Sequence, residues 1–318
     1  MIPFHIDSTM MTCFRSCPQK YFREFVEGRR PSGISIDLHA GACFASALEE
    51  VRNQVYLHRK PLDYALTLAG ARFFQEWGDV EPPDWKRTAK TKDRVWEAVE
   101  SYFAHYAPLT DHVQPYIGDA GHPTLEYTFA IPLEPASRLN DGTSFPLHPN
   151  GEPFIYCGRF DMIGNYQSRP CVCDEKTTGS SIGKNWAYQW DLRSQFIGYV
   201  WACQQDGNYR DLDTVVVRGV AIQMQQIVHA EAIKLYSNDL ISKWHEQLRR
   251  DMWRLVRCHE AGYYDYNLGD ACTSYGNCIF MAACASNQPD VWLQDFEIAH
   301  WNPITRNPIN GNARSGPA

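Results

Sequence analysis

"CVCDEKTTG", residues 171–179, sets two acids and a lysine inside what otherwise reads as a short apolar strand closing on threonines and a glycine. Side chains alternate faces along a strand, so Val172, Asp174, Lys176 and Thr178 point one way and Cys171, Cys173, Glu175 and Thr177 the other. Asp174 and Lys176 are therefore neighbours on one face, about 7 Å apart along the strand. That is near enough for both to act on one ligand atom, such as a metal-bound water. Taken alone, the three charges also fit an edge strand with its polar groups in solvent, and the surrounding chain has to decide.

Upstream, "TLEYTFAIPL" and "FIYCGRFDMIGNY" carry the same alternating, β-branched and aromatic texture, separated by the turn-rich "NDGTSFPLHPNGEP" and "YQSRP". Together with "CVCDEKTT" they read as a three-stranded antiparallel meander. Downstream comes a helix, "QWDLRSQFIGYVWACQQ", then strand-like "DTVVVRGVAIQ" and "IVHAEAIKLY", and a long amphipathic helix over "SNDLISKWHEQLRRDMWRLVRCHEAG". Before the meander the pattern is helical. Ser8 is the expected N-cap of a first helix, Pro18 starts a second or breaks the first, and Gly28 ends that segment. Phe44, Ala47, Leu48, Val51 and Val55 then recur at helical spacing, followed by "YALTLAGARFFQEW" and "DRVWEAVESYFAHYA".

The chain of 318 residues carries 44% hydrophobic and 21% charged residues, an ordinary globular composition. No basic start followed by an apolar run opens it, and no stretch approaches membrane-spanning length, so a soluble, cytoplasmic protein without membrane partners is expected, in the host cytoplasm if it is viral. A net charge of −7 argues against a protein that coats nucleic acid by bulk electrostatics, but not against an enzyme whose carboxylates surround a divalent cation. Basic residues gather in two places: Arg15, Lys20, Arg23, Arg29 and Arg30, and then Lys86, Arg87, Lys90, Lys92 and Arg94. Each group is a candidate track for a phosphate backbone, and each residue singly also fits a solvated surface.

Asp161 in "GRFDMIG", Asp174 and Lys176 in "DEK", and Gln195 and Tyr199 in "QFIGY" follow one another in an order that resembles the PD-(D/E)xK nuclease superfamily, and within it the RecB-like exonucleases, whose CRISPR-associated and helicase-associated members carry an iron-sulfur cluster. "SCPQKYF", with Cys17 and Pro18, resembles that group's opening Cys-Pro-aromatic motif, and "GACFASALE", with Gly41 and Glu49, its glycine-to-Leu-Glu helix. The resemblance spans residues 8 to 284. It implies a mixed α/β (α+β) fold with a restriction-endonuclease-like core, a small mixed central sheet flanked by helices. As one integrated domain this divides into an N-terminal helical region over 1–122, a nuclease core over 123–236, a helix and Cys-rich segment over 237–302, and a disordered tail over 303–318.

The same resemblance implies a Mg²⁺- or Mn²⁺-dependent DNA exonuclease. It would act on single strands or duplex ends in recombination, repair or replication, as compact phage-type members do, alone, as a homo-oligomer or with proteins of those processes. The alternatives are a non-catalytic nucleic-acid-binding module that keeps the fold and a nuclease of RNA. Many relatives carry a histidine four residues after the helix glycine; here that position is Ala45. The metal is then held by Asp161, Asp174, the Glu175 carbonyl and waters, or Glu49 reaches further in. Independently of the resemblance, hard carboxylate oxygens are the right donors for such an ion, and Lys176 can orient the attacking water or offset phosphate charge. By the resemblance Gln195 and Tyr199, one helical turn apart, face the site. Trp85, Tyr102 and Phe103 are candidates for stacking bases.

Eleven cysteines, an odd number, make a disulfide framework a poor explanation and metal binding a good one for those that cluster. Cys272, Cys278 and Cys284 recur at intervals of six and need a fourth ligand, for which Cys17 is the candidate and Cys13 its substitute. The resemblance implies a 4Fe-4S cluster joining the two ends of the chain; four thiolates on Zn²⁺ and free buried thiols are the alternatives. Cys43, Cys157, Cys171, Cys173, Cys203 and Cys258 read as small core residues.

Overall fold

The protein is described by a computed structural model covering residues 1–82, 87–118, 121–134, 144–274 and 277–305, with the backbone of 307–310. In chain order the elements are β1 (His5–Ile6), α1 (Ser8–Ser16), α2 (Pro18–Tyr21), β2 (Arg29–Pro31), α3 (Ile36–Arg52), α4 (Leu62–Trp77), α5 (Lys92–His105), β3 (Val113–Pro115), β4 (Leu125–Pro132) and β5 (Ile155–Tyr166). They continue as β6 (Arg169–Thr178), α6 (Ser194–Gln205), β7 (Thr214–Ile222), β8 (Ile227–Leu235), α7 (Asn238–Ala261), α8 (Asp270–Thr273), α9 (Met281–Ala285), α10 (Pro289–Leu293), β9 (Phe296–Asn302) and β10 (Asn307–Asn310). Among the described residues no helix is long and apolar enough to cross a membrane.

The chain groups into two units of interleaved segments, one of residues 1–33, 128–158 and 239–318, the other of 34–127 and 159–238. The second is a mixed sheet backed by helices. β5 and β6 form the expected hairpin, with Met162 opposite Cys173 and Ile163 opposite Val172, and β4 also pairs with β5. Past the hairpin, β7 lies parallel to β6, Asp174 facing Val217 and Lys176 facing Gly219, and β8 returns antiparallel. Every residue of β7 is buried, as a strand covered on both faces requires, which explains its near-continuous apolar run. One face of the sheet carries Cys171, Cys173 and Glu175 on β6 with Val216, Arg218, Val220 and Ile222 on β7. Val220 and Ile222 join the packed core of α3, α4 and α5, built around Phe44, Leu48, Val51, Phe73, Trp77 and Val99.

The first unit is organised by α7, whose buried Ile241, Trp244, Leu248, Met252 and Leu255 recur at the spacing of one helical face. Trp244 meets Tyr156 edge-on at 5.4 Å between ring centroids, and Asp251 accepts from Arg15 Nε at 2.6 Å. Asp7, one residue before the expected cap, accepts the Met10 amide at 2.8 Å and starts α1, while Pro18 opens α2. Gly28 adopts φ +75°, and a Cβ there would lie 2.8 Å from the His300 ring, so both conformation and close approach call for glycine. It leads into β2, which pairs with β9, and β9 pairs in turn with β10. β10 falls within the segment expected to be a disordered tail; 311–318 lie outside the described residues.

Candidate active site

Where the β5–β6 ladder ends at Met162 and Cys173, the next residues outward on the two strands are Asp161 and Asp174. Asp174 is 2% exposed and forms an ion pair with Lys176, the same-face neighbour that strand alternation anticipates. Lys176 in turn holds its ammonium 5.6 Å above the Phe196 ring of α6. Asp161 Oδ2 accepts the Glu175 amide at 3.0 Å, which ties the first acid to the strand that bears the second. Burial first, then the Asp174 and Glu175 carboxylates, push the Asp161 carboxyl well above the ordinary range. Two carboxylates forced together in this way are a site that gains from a cation. Both are hard oxygen donors, and Mg²⁺ commonly takes only one or two carboxylates and keeps waters for its other positions. The donor set fits. No three His, Cys, Asp or Glu side chains among the described residues converge closely enough to hold one ion between them.

Glu175 points to the opposite face, as alternation requires, and is fixed there. Its carboxylate pairs with Arg52 of α3 and accepts the Tyr102 hydroxyl at 2.7 Å. Burial alone would raise its pKa, but Arg52, with help from Arg218 and Tyr102, holds it down at about 2. Arg218 extends the network to Asp111, at 2.6 and 2.7 Å, and to Glu231 at 3.0 Å. Tyr102 and Phe103, candidates for base stacking, are 1% and 2% exposed and belong to the core; their aromatic surface is spent on packing, which corrects that expectation. Trp85 lies outside the described residues.

On α6, Gln195 Nε2 donates to the Tyr199 hydroxyl at 2.8 Å, the contact expected one helical turn apart. Tyr199 meets Phe160, the neighbour of Asp161, edge-on at 4.9 Å. Glu49 is bound to Arg72 at 3.0 Å, and Arg72 also holds Glu50 and Glu76, so its carboxylate is already engaged by a guanidinium.

Three residues near this site were not singled out in the sequence. Glu126 pairs with Arg159 at 2.8 Å and sits at φ +47°, a strained region for a residue with a side chain. Burial pushes its carboxyl up to about 7 against the pull of Arg159, and Glu49 adds to the rise. Arg159 precedes Asp161 by two residues and Glu126 is a lone acid in an apolar strand, so both carried a readable signal. Trp186 is the third. Its indole lies over Gly219, the register partner of Lys176, so closely that a Cβ there would come within 2.3 Å of the ring.

The basic residues divide. Arg15 is committed to Asp251 and Lys20 lines the cysteine cavity. Lys90 is buried and paired with Asp37 at 3.4 Å, and Lys92 donates to the Gly78 carbonyl at 2.5 Å, which differs from the expectation that both meet phosphate. Arg87 is exposed and borders a cleft of about 430 Å³ at the carboxyl ends of β6 and β7, beside Gly179 and Gln223. Lys86 lies outside the described residues.

In the other unit Cys17, Cys272, Cys278 and Cys284 line one cavity. Cys13 does not line it; its thiol faces Glu24 Oε2 at 3.8 Å, which favours Cys17 as the fourth member. Three thiols from the C-terminal segment and one from the N-terminal segment thus border one cavity; soft donors of this kind have the chemistry of iron-sulfur or zinc ligands, although among the described residues no three of them converge closely enough to hold a single ion.

No curated protein sequence matches the chain. Among solved structures, one from Eubacterium rectale, provisionally named an exonuclease, is similar with a TM-score of 0.47 and 12% identity over 86% of this chain and 89% of that one. A protein called SSO0001 is similar with a TM-score of 0.30 and 13% identity over 80% of this chain and 78% of that one. A sequence profile of the PD-(D/E)XK nuclease superfamily matches residues 8–285, almost the whole of the described chain and all of the acids and the lysine above. The chain belongs to the PD-(D/E)XK nuclease superfamily.

Proposed function

We propose that the protein is a Mg²⁺- or Mn²⁺-dependent exonuclease of DNA, with Asp161 and Asp174 as the metal-binding acids and Lys176 beside them. The observation that carries this reading is the meeting of a buried Asp174, ion-paired to Lys176, with Asp161 at the mouth of one hairpin. When bound, the cation supplies a water acidified for attack and offsets charge on the scissile phosphate. Asp161, Asp174 and the Glu175 carbonyl are the groups that would hold it. Lys176, held beside Asp174, would be placed to orient the attacking water or to meet the phosphate oxygens. The Gln195–Tyr199 pair and Trp186 border the substrate, and Arg87 meets its backbone at the cleft. Exonuclease action and the choice of DNA are supported by the RecB-like order of the motifs.

The four cavity-lining cysteines are read as ligands of a 4Fe-4S cluster, with zinc as the competing occupant. Their position in the unit that contains both chain termini suits a structural staple.

End-labelled linear DNA, covalently closed circles and RNA of the same sequence, each with Mg²⁺ or Mn²⁺, test the reading. The wild type should degrade linear DNA and spare the circle. Asp174→Asn and Lys176→Ala should each lose about 10²-fold or more in rate while still binding DNA in an anisotropy titration. Cutting by Asp174→Asn at the wild-type rate refutes the site, equal cutting of circles refutes the exonuclease, and cutting of RNA alone refutes the substrate.

A further inference from the structure

Two buried guanidiniums in this protein are faced by carboxylates: Arg52 by Glu175, and Arg218 by Asp111 and Glu231. Arg23 is placed differently. It follows α2, is 4% exposed, and among the described residues meets no carboxylate at ion-pairing distance. Its Nη1 donates to Cys284 Sγ at 3.3 Å and, at 3.5 Å, to the Phe280 carbonyl, and its guanidinium lies 5.7 Å from the centre of the Phe280 ring. The cavity it lines is the one lined by Cys17, Cys272, Cys278 and Cys284, with Lys20 as a second cation.

A buried cation without a counter-charge is strongly unfavourable. Four neutral thiols do not supply that charge, because a thiol is a weak acceptor and an ordinary cysteine is largely protonated at neutral pH. Four metal-bound thiolates do: their negative charges outnumber the positive charge of a divalent ion, and equally that of a resting cubane core, so the site is left net negative.

We propose that Arg23 is the internal counter-ion of a thiolate-ligated metal centre at Cys17, Cys272, Cys278 and Cys284, donating to the Cys284 sulfur and balancing the excess charge of the site. This rests on the reading of the four cysteines as metal ligands, and concerns which residue makes their charge tolerable in the interior. Arg23 is a positioning residue of that centre: it acts on a ligand, through a hydrogen bond of the kind that partners of metal ligands supply. Arg23→Gln keeps a donor of smaller reach and removes the charge, whereas Arg23→Lys keeps the charge and removes the fork.

The test uses the full chain, purified without oxygen as wild type, Arg23→Gln, Arg23→Lys and Cys284→Ser. Iron, zinc and sulfide are assayed, and loss of metal to a chelator is followed by visible absorption for iron or with a chromogenic dye for zinc. Circular dichroism confirms folding. The wild type should hold metal and Arg23→Gln should release it about 10- to 100-fold faster, the range typical when a partner of a metal ligand is lost. Arg23→Lys should fall between them, and if it binds iron its absorption bands should shift. Wild-type release and an unchanged spectrum in Arg23→Gln overturn the counter-ion role while leaving the four-cysteine centre standing. A wild type with neither iron nor zinc overturns both. Should Arg23→Gln fail to fold, Arg23→Lys decides alone: faster release than wild type supports the assignment, and identical release with identical absorption overturns it.

Discussion

The back of β6 gives the most direct quantitative handle on the candidate site. Glu175 and Arg52 are each 5% exposed at their side chains, so replacing Arg52 with methionine leaves a carboxylate inside the protein with the Tyr102 hydroxyl at 2.7 Å, the weak Cys173 thiol donor at 3.6 Å and the more distant charge of Arg218. Breaking a buried pair by removing one partner typically costs about 3–5 kcal/mol. The surviving hydroxyl bond sets the expectation at the low end, about 3 kcal/mol, or roughly a hundredfold in a local opening equilibrium. Hydrogen–deuterium exchange read by mass spectrometry on peptides spanning β6 measures that opening directly. Protection at Cys173–Lys176 should fall by about that factor in Arg52→Met and by a comparable factor in Glu175→Leu, which strands the cation instead. The double variant should recover most of the loss, since an apolar pair of similar volume costs little in place of a buried ion pair. Because the Glu175 amide also holds Asp161, nuclease activity should fall and recover along with protection. Singles that lose less than about 1 kcal/mol, or a double whose loss is the sum of the singles, would refute the claim that this pair anchors the strand.

Two further outcomes follow from packing and charge. Gly219→Ala places a methyl group where the Trp186 ring now lies, 2.3 Å from the new carbon, and should lower stability by about 1–3 kcal/mol as overpacking does. A melting temperature equal to that of the wild type would show that the indole moves freely. His229 is held down to about 4 by burial and then by the stacked His105, 4.8 Å away between centroids, so between about 4 and the ordinary 6.5 the unfolded chain binds a proton that the native one does not. The stability tied to its neutral form is thus full above 6.5 and is lost as pH falls towards 4, and His229→Gln should flatten the pH dependence of the urea midpoint in that window; an unchanged slope would remove His229 as the cause.

The meander and the helices before it were legible because their signals are local. Alternation identifies β5 and β6 whatever they pair with, and the apolar run of β7 is what a strand covered on both faces looks like. What could not be read was pairing at long range. That β7 lies parallel to β6 depends on how α6 crosses between them. β1 and β2 are strands only because partners far along the chain supply their hydrogen bonds, β2 meeting β9 across more than 260 residues. The small sheet is thus invisible to periodicity, since the three residues of β2 show no pattern of their own.

The two faces of "DEK" make the same point within one strand. Its forward face was readable because Asp174 and Lys176 are two residues apart, and the ion pair between them needs nothing beyond strand geometry. On its rear face a single acid could be seen turning away, but the reason lay on α3, 123 residues earlier. There was a signal at that distance: Arg52 follows Leu48 by four residues and Val51 by one and precedes Val55 by three, a charge set on the apolar face of its helix. A lone cation on one core-facing stripe and a lone anion on another are each unfavourable, and together they specify a contact. The position between the acid and the lysine is thereby more than a spacer. Its side chain is anchored behind the sheet and its amide is given to Asp161, so one residue ties the geometry of the site in front to the buried charge network behind it.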